Sequence, residues 1–342
     1  MMNSRERVLA AVSKKNPDYL PSFCGRIDDI EYWLENFKVG SELEVRKYLG
    51  MDCQKMSYSN MFIKEPGKTI FGCEDFYDAG YGSAKHYPLA AAETLADIEK
   101  HPWPTIEQVD FDDAAAEIKK LDQNSARIGT VGFQAVFCLL CDLFGMEQAM
   151  MNMHTEPKLI EASIEKIESF LYTVIKRMLD EHAKELDFFW YGDDFSTQRG
   201  IMISPEMWRK YLKPVYRKIF GLIKSYDLDV WFHSCGTFAP VLGELVEAGM
   251  DVWETVQVHL VDNDPESLKR NYGDHITFFG AINCQQTLPF GTPEDVRKEV
   301  RERFRVLGKN GGYIAGPDHS VQKNIPWQNV EALYDEAHKC MY

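Results

Sequence analysis

Short apolar segments recur along this chain with room for a helix between most neighbours, and that alternation limits the folds open to it. They are Leu20–Cys24, Cys53–Ser57, Arg127–Gly132, Phe188–Gly192, Asp229–His233, Val252–Val256, Ile276–Ala281 and Gly312–Ala315. Each has the length of a strand buried on both faces, and such strands belong to parallel sheets covered by helices. Helical stretches lie between them. Ser4–Lys14 opens the chain, and Glu156–Leu186 and Asp295–Leu307 carry apolar residues at helical spacing. Ser204-Pro205-Glu206 and Thr292-Pro293-Glu294-Asp295 put a capping side chain, a proline and acids where helix starts favour them. Eight strands alternating with helices predict an α/β fold, a single (β/α)8 TIM barrel. A doubly wound sheet alternates in the same way. However, the chain has neither G-x-G-x-x-G nor a P-loop, which lowers the odds on a dinucleotide enzyme.

The stretch Asn60 to Phe111 is too long for one βα connection. With Gly67, Gly72, Gly80, Gly82 and several aromatics, it predicts an insertion after the second strand (60–111) with its own hairpin, shaped to act as a lid. The barrel would otherwise span 1–342. Lys plus Arg is 38 against 53 Asp plus Glu, a formal charge of −15. No Lys/Arg cluster stands out in the sequence, which argues against nucleic acid or an anionic membrane surface as partner. The most apolar long stretch, Ile128 to Met150, is broken by Gln134, Asp142 and Glu147, so no membrane span is expected. The first residues lead into a charged amphipathic helix without the apolar core of a signal peptide. Eight scattered cysteines form no disulfide framework and fit a reducing cytoplasm. Cys138-Leu139-Leu140-Cys141 is formally C-x-x-C, but its apolar helical context favours core packing over redox chemistry.

His233-Ser234-Cys235 ends the apolar run Asp229–His233 and is followed by Gly236. Residues i and i+2 of a strand share a face, so an imidazole and a thiol emerge together where the strand stops. The pair suits zinc, which needs three or four ligands. His319 is the obvious third donor, with Cys284 and Glu254 in reserve. Asp193, Asp194, Glu254, Cys284 and His319 all fall at or just beyond expected strand ends, the rim where barrel enzymes build active sites. Asp193, Asp194 and Glu254 are the candidate catalytic residues, and the two aspartates could orient a metal ligand or protonate a leaving oxygen. The alternative for them is hydrogen bonding to loop backbone or to Arg199. Tyr191, Tyr313, Trp253 and Phe195 are candidates for an aromatic wall.

The chain resembles the uroporphyrinogen decarboxylase superfamily, including its cobalamin-dependent methyltransferase branch, nearly end to end. The resemblance rests on Arg5-Glu6-Arg7-Val8-Leu9-Ala10-Ala11 with Asn16-Pro17-Asp18, and on Pro88-Leu89-Ala90 through Pro102-Trp103-Pro104. It continues in Gly192-Asp193-Asp194 through Ser204-Pro205-Glu206, His233-Ser234-Cys235-Gly236, Gly280-Ala281-Ile282 and Gly311-Gly312-Tyr313. The family fold it implies is a (β/α)8 barrel. True decarboxylases carry Arg-Gln-Ala-Gly-Arg after the first strand to grip substrate carboxylates. Here the stretch is Phe23-Cys24-Gly25-Arg26-Ile27-Asp28-Asp29, and no Asp stands at Tyr58-Ser59-Asn60 to hold pyrrole N–H groups. The methyltransferase branch fits better. Its methylcobamide:coenzyme M members bind zinc through His-x-Cys and a later Cys. His233 and Cys235 match the first two positions, and the third falls on His319. The resemblance implies a zinc-dependent methyltransferase acting on a thiol or a methoxylated compound. The methyl group would pass to or from a corrinoid (cobalamin) on a separate carrier protein, and the barrel could pair as a homodimer. A metal-free decarboxylase-type lyase and a non-catalytic corrinoid or small-ligand binding protein are the alternatives.

Overall fold

The computed structural model describes residues 1–74, 77–78, 81–82 and 86–342. At its centre is a seven-stranded sheet in which every pairing is parallel. Its strands are β1 Cys53–Lys55, β2 Ala126–Thr130, β3 Phe188–Gly192, β4 Asp229–His233, β5 Met250–Val256, β6 Thr277–Ile282 and β7 Tyr313–Pro317. Spatial order equals chain order. A sheet built this way curls in one direction, whereas a doubly wound sheet grows outward from a switch point.

The first expected strand, Leu20–Cys24, is the exception. It meets the ladder only through an isolated bridge between Ser22 and Ala315. The Phe23 N–H donates to Ala315 C=O at 2.9 Å, and the Asp52 N–H donates to Ser22 C=O at 2.8 Å. Pro21–Phe23 thus bonds to β7 on one side and to the residue before β1 on the other. Two features keep it from being a full strand. Pro21 has no N–H to give, and the Ser22 N–H goes to the Asp52 carboxylate at 2.9 Å instead of to a backbone carbonyl.

The helices start where their caps predict. α1 Ser4–Val12 has an Asn3/Glu6 capping box, and it ends before Lys14, whose φ of 56° is left-handed. α2 Val136–Phe144 follows β2. α3 Pro157–His182 runs on into a short 3-10 turn at Ala183–Glu185, close to the expected 156–186. Ser204 accepts from the Met207 N–H, and Thr292 and Asp295 form a second capping box. Within the expected insertion, Tyr77–Asp78 pairs antiparallel with Tyr81–Gly82, while Gly80 lies outside the described residues. Cys138 and Cys141 both sit on α2 as free thiols, and burial pushes Cys141 up to about 12. Among the described residues no helix is long and apolar enough to cross a membrane.

Strand alternation sorts the aromatics into two layers, and here the expected aromatic wall is corrected. Trp190 and Trp231 share the inner face with Glu254, and Phe23 and Phe279 pack against Trp231. Tyr191 packs instead on Tyr216 and Phe220, Trp253 on Phe238, and Phe195 on Trp208. Tyr313 is fully buried, its hydroxyl donating to Gly280 C=O. On β3 and β5 the inward positions are one residue away from the ones expected, and a step of one residue changes the face.

Candidate metal centre

The register of the sheet assembles the site. His233 pairs with Gly192 on β3 and with Glu254 on β5, so three neighbouring strands present their ends together. Glu254 is the hub. Its Oε2 accepts from Trp190 Nε1 at 2.8 Å and from Trp231 Nε1, and its Oε1 lies 3.2 Å from His233 Nδ1. The space is tight, since a Cβ on Gly25 would lie 2.5 Å from Glu254 Oε1. Burial opposes charge on this carboxyl, but Lys55, His233 and the indole donor hold it at about 2. The Lys55 ammonium sits 4.7 Å from the Trp190 ring centroid.

With Nδ1 committed to Glu254, His233 turns Nε2 toward Cys235 Sγ at 3.5 Å and Asp194 Oδ1 at 3.7 Å. One ligand atom from each of Asp194, His233 and Cys235 lies within 4.8 Å of the other two. Burial alone would push the Cys235 thiol up. The His233 charge and the hydrogen bonds from His233 and His319 outweigh it, so the thiol lies below its ordinary value. Burial would likewise push the imidazole down, and Cys235, Glu254 and Asp194 instead raise it well above its usual range.

The loop carrying Cys235 is pinned on each side. Asp194 Oδ1 accepts the Cys235 N–H, and Gln257 Oε1 accepts the Gly236 N–H, both at 2.8 Å. Ser196 Oγ donates to the Cys235 carbonyl. Gly236 has φ +84°, and a Cβ there would come 2.3 Å from the Thr197 carbonyl oxygen, so only glycine fits.

The other expected site residues take different places. His319 hydrogen-bonds to Cys235, and its Nδ1 lies 3.2 Å from Ser320 Oγ, but it is not one of the three mutually close donors. Cys284 directs its thiol at the His319 and Ser320 carbonyls, and burial raises it well above its ordinary value. Asp193 accepts from the Phe137 and Cys138 N–H groups at the start of α2 and from the Tyr216 hydroxyl. Its burial raises the carboxyl to about 6. Lys55, Trp190, Trp231 and Phe133 were missed by sequence reasoning. The signal available was alternation: Lys55 shares a strand face with buried Cys53, and Trp190 lies two residues after Phe188. Phe133 is 37% exposed and meets both Trp190 and His233 edge-on, with centroids 4.9 and 5.1 Å away.

Nitrogen, sulfur and carboxylate donors suit zinc, and three protein ligands leave a position open for substrate. A histidine whose second nitrogen is tied to a carboxylate is the usual arrangement of a metal-ligating imidazole. The residues therefore fit the metal.

Residues 71–340 match the model of the family described as uroporphyrinogen decarboxylase (URO-D). A uroporphyrinogen decarboxylase of Psychromonas ingrahamii is 21% identical over 194 residues, covering 54% of this chain and 49% of that protein. The chain thus spans about half the length of that relative. The methylcobamide:CoM methyltransferase MtbA of Methanosarcina acetivorans is 20% identical over 369 residues, covering 99% of this chain and 98% of that protein. A solved methyltransferase from Methanosarcina mazei superposes with TM-score 0.77 at 15% identity, covering 99% of both chains, and so shares the fold. Since the family match takes in most of its length, this chain belongs to the uroporphyrinogen decarboxylase (URO-D) family, a family of enzymes whose members here include decarboxylases and methylcobamide:CoM methyltransferases.

Proposed function

We propose that this protein is a zinc-dependent methyltransferase that moves a methyl group between a small substrate and a corrinoid cofactor carried by a partner protein. The substrate is a thiol or a methoxylated compound. One observation carries the reading: Asp194, His233 and Cys235 offer donors within 4.8 Å of one another, and the His233 Nδ1 is already tied to Glu254. The similarity to a methylcobamide:CoM methyltransferase over nearly the whole of both chains supports it. In this reading Asp194 is the third donor, and His319 acts through its hydrogen bond to Cys235.

Zinc held there would supply Lewis acidity, lowering the pKa of a substrate thiol or polarising an ether oxygen. The chain's own residues do the rest. Glu254 fixes the tautomer and plane of His233. The two indole N–H groups hold Glu254 in place, and Lys55 keeps it ionised. Phe133 offers an exposed aromatic surface beside the donors for the apolar part of a substrate. We read the fold as one barrel over 1–342, joined by Pro21–Phe23, with 60–111 as an insertion that can cover the rim. The free thiols fit a cytoplasmic setting. The decarboxylase alternative has less support, because the single arginine of the Phe23–Asp29 stretch, Arg26, is already paired with Asp28 at 2.6 Å.

Metal content of protein purified without added metal, wild type against His233→Ala/Cys235→Ala, tests the reading. One zinc per chain, lost in the double variant, is expected, followed by zinc-dependent methylation of cob(I)alamin by thioethers or methoxylated aromatics. No metal in the wild type, even after reconstitution with zinc, sinks it.

A further inference from the structure

Against a net charge of −15, one cavity runs the other way. It measures 780 Å³ and is lined by Lys14, Lys15, Lys269, Arg270 and Lys309, with Asp274 as its one carboxylate. These cations are scattered along the sequence, and only the fold gathers them. The cavity lies at the opposite end of the sheet from His233. Lys14 Nζ donates to Thr277 Oγ1, on the first residue of β6, at 2.7 Å. Lys269 Nζ donates to the carbonyl of Gly311, just before β7, also at 2.7 Å. Both arms close on Gly312, where a Cβ would lie 3.3 Å from Lys14 Cδ and 3.3 Å from Lys269 Nζ.

Some helical lysines elsewhere on the protein find carboxylates, as Lys213 finds Glu244 and Lys224 finds Asp251. Among the described residues, none of the five cavity cations has a carboxylate oxygen within the 4.0 Å of an ion pair. Desolvating ammonium groups without a counter-charge is costly. The cost shows in the groups themselves. Burial, together with the charge of Lys269, pushes Lys14 down to about 8, and burial pushes Lys269 to about 8. Asp229, Asp251 and Asp274 act on Lys14 at longer range and do not restore it. Two half-buried lysines and three exposed cations therefore concentrate positive charge in one cavity. Lysine binds phosphate as a point charge, and several lysines suit several phosphates.

We propose that this cavity binds a small molecule bearing a di- or triphosphate group, at a site distinct from the candidate metal centre. The inference does not depend on the methyl-transfer reading.

Isothermal titration of the full-length protein with pyrophosphate and with tripolyphosphate, ionic strength held constant with sodium chloride, tests it. Saturable binding is expected, weakened about tenfold or more in Arg270→Glu/Lys309→Glu. Both of those side chains are exposed, so the variant keeps its fold, checked by its thermal melt. Lys14→Met/Lys269→Met should weaken binding as well. Near pH 8, wild-type binding should take up protons, read as a buffer-dependent heat, because the anion holds Lys14 and Lys269 charged. No saturable binding of either probe would overturn the proposal, as would binding of equal strength in the wild type and both double variants.

Discussion

Glu254 receives three N–H groups on two oxygens, which makes it the least replaceable side chain near the donors. Gln in its place keeps the shape but has one acceptor oxygen, so either both indoles, which share Oε2, or the imidazole on Oε1 lose their partner. Glu254→Gln should cost about 1–3 kcal/mol of stability and weaken zinc binding about 10- to 100-fold. Chemical denaturation and competition with a zinc chelator would measure the two effects, and full zinc affinity in the variant would remove Glu254 from its positioning role. His233 and Cys235 were legible in the sequence because a strand end followed by glycine exposes residues i and i+2 together. Asp194 and Glu254 were legible as rim residues, but not that Asp194 faces His233 Nε2 while Glu254 faces Nδ1. Only the register of β3, β4 and β5 sets that. His319, expected from the sequence as a third ligand, hydrogen-bonds to Cys235, and it is only in the proposed reading that Asp194 takes that position.

Element ends hold two further consequences. Asp193 terminates no helix of its own chain segment, yet it caps α2 by accepting from Phe137 and Cys138, a long-range version of an N-cap. Asn would leave one of its donors unmatched, so Asp193→Asn should lose about 1–3 kcal/mol while retaining full zinc content. Denaturant unfolding together with metal analysis separates it from Asp194, whose loss should act the other way round. At the opposite strand ends, Lys14 and Lys269 are held at about 8 from an ordinary 10.5. Between those values the unfolded chain binds more protons than the folded one, so their contribution to stability rises with pH. The wild type should therefore gain on Lys14→Met/Lys269→Met as pH goes from 8 to 10.5. Melts across that window should show the gap moving toward the wild type, and a constant gap would mean that neither lysine is buried as charged. β3 and β4 were readable to the residue because they are apolar on both faces and bounded by polar residues. Leu20–Cys24 has the same apolar pattern, but Pro21 and the Asp52 carboxylate take backbone bonds that a ladder would need. Aromatic positions were misassigned for a related reason: in a strand buried on both faces, composition does not say which face is inside.

At the scale of the molecule, the Pro21–Phe23 link between the start and the end of the sheet is braced by charge. Arg7, on α1, sets its guanidinium 2.6 Å from Asp52 and 2.8 Å from Asp18. Asp52 is fully buried, accepts the Ser22 N–H, and gives its own N–H to the Ser22 carbonyl, while its carbonyl takes the Ala126 N–H. One residue thus ties α1, the Pro21–Phe23 link and β2 together, and a candidate site made of ends of adjacent strands depends on that frame. Arg7→Met would leave a buried carboxylate with no counter-charge, at a cost of about 3–5 kcal/mol. Burial already raises the Asp52 carboxyl above its ordinary value despite Arg7, and without the arginine the rise must grow. A carboxyl raised on folding binds more protons in the native state than in the unfolded one, so stability falls as pH rises through that window. The deficit of Arg7→Met should accordingly be largest near neutrality and shrink as pH falls into the acid range. Asp52→Asn in the same background should recover part of it. A deficit independent of pH, or no recovery in the double variant, would show that the arginine holds the link through packing instead of charge.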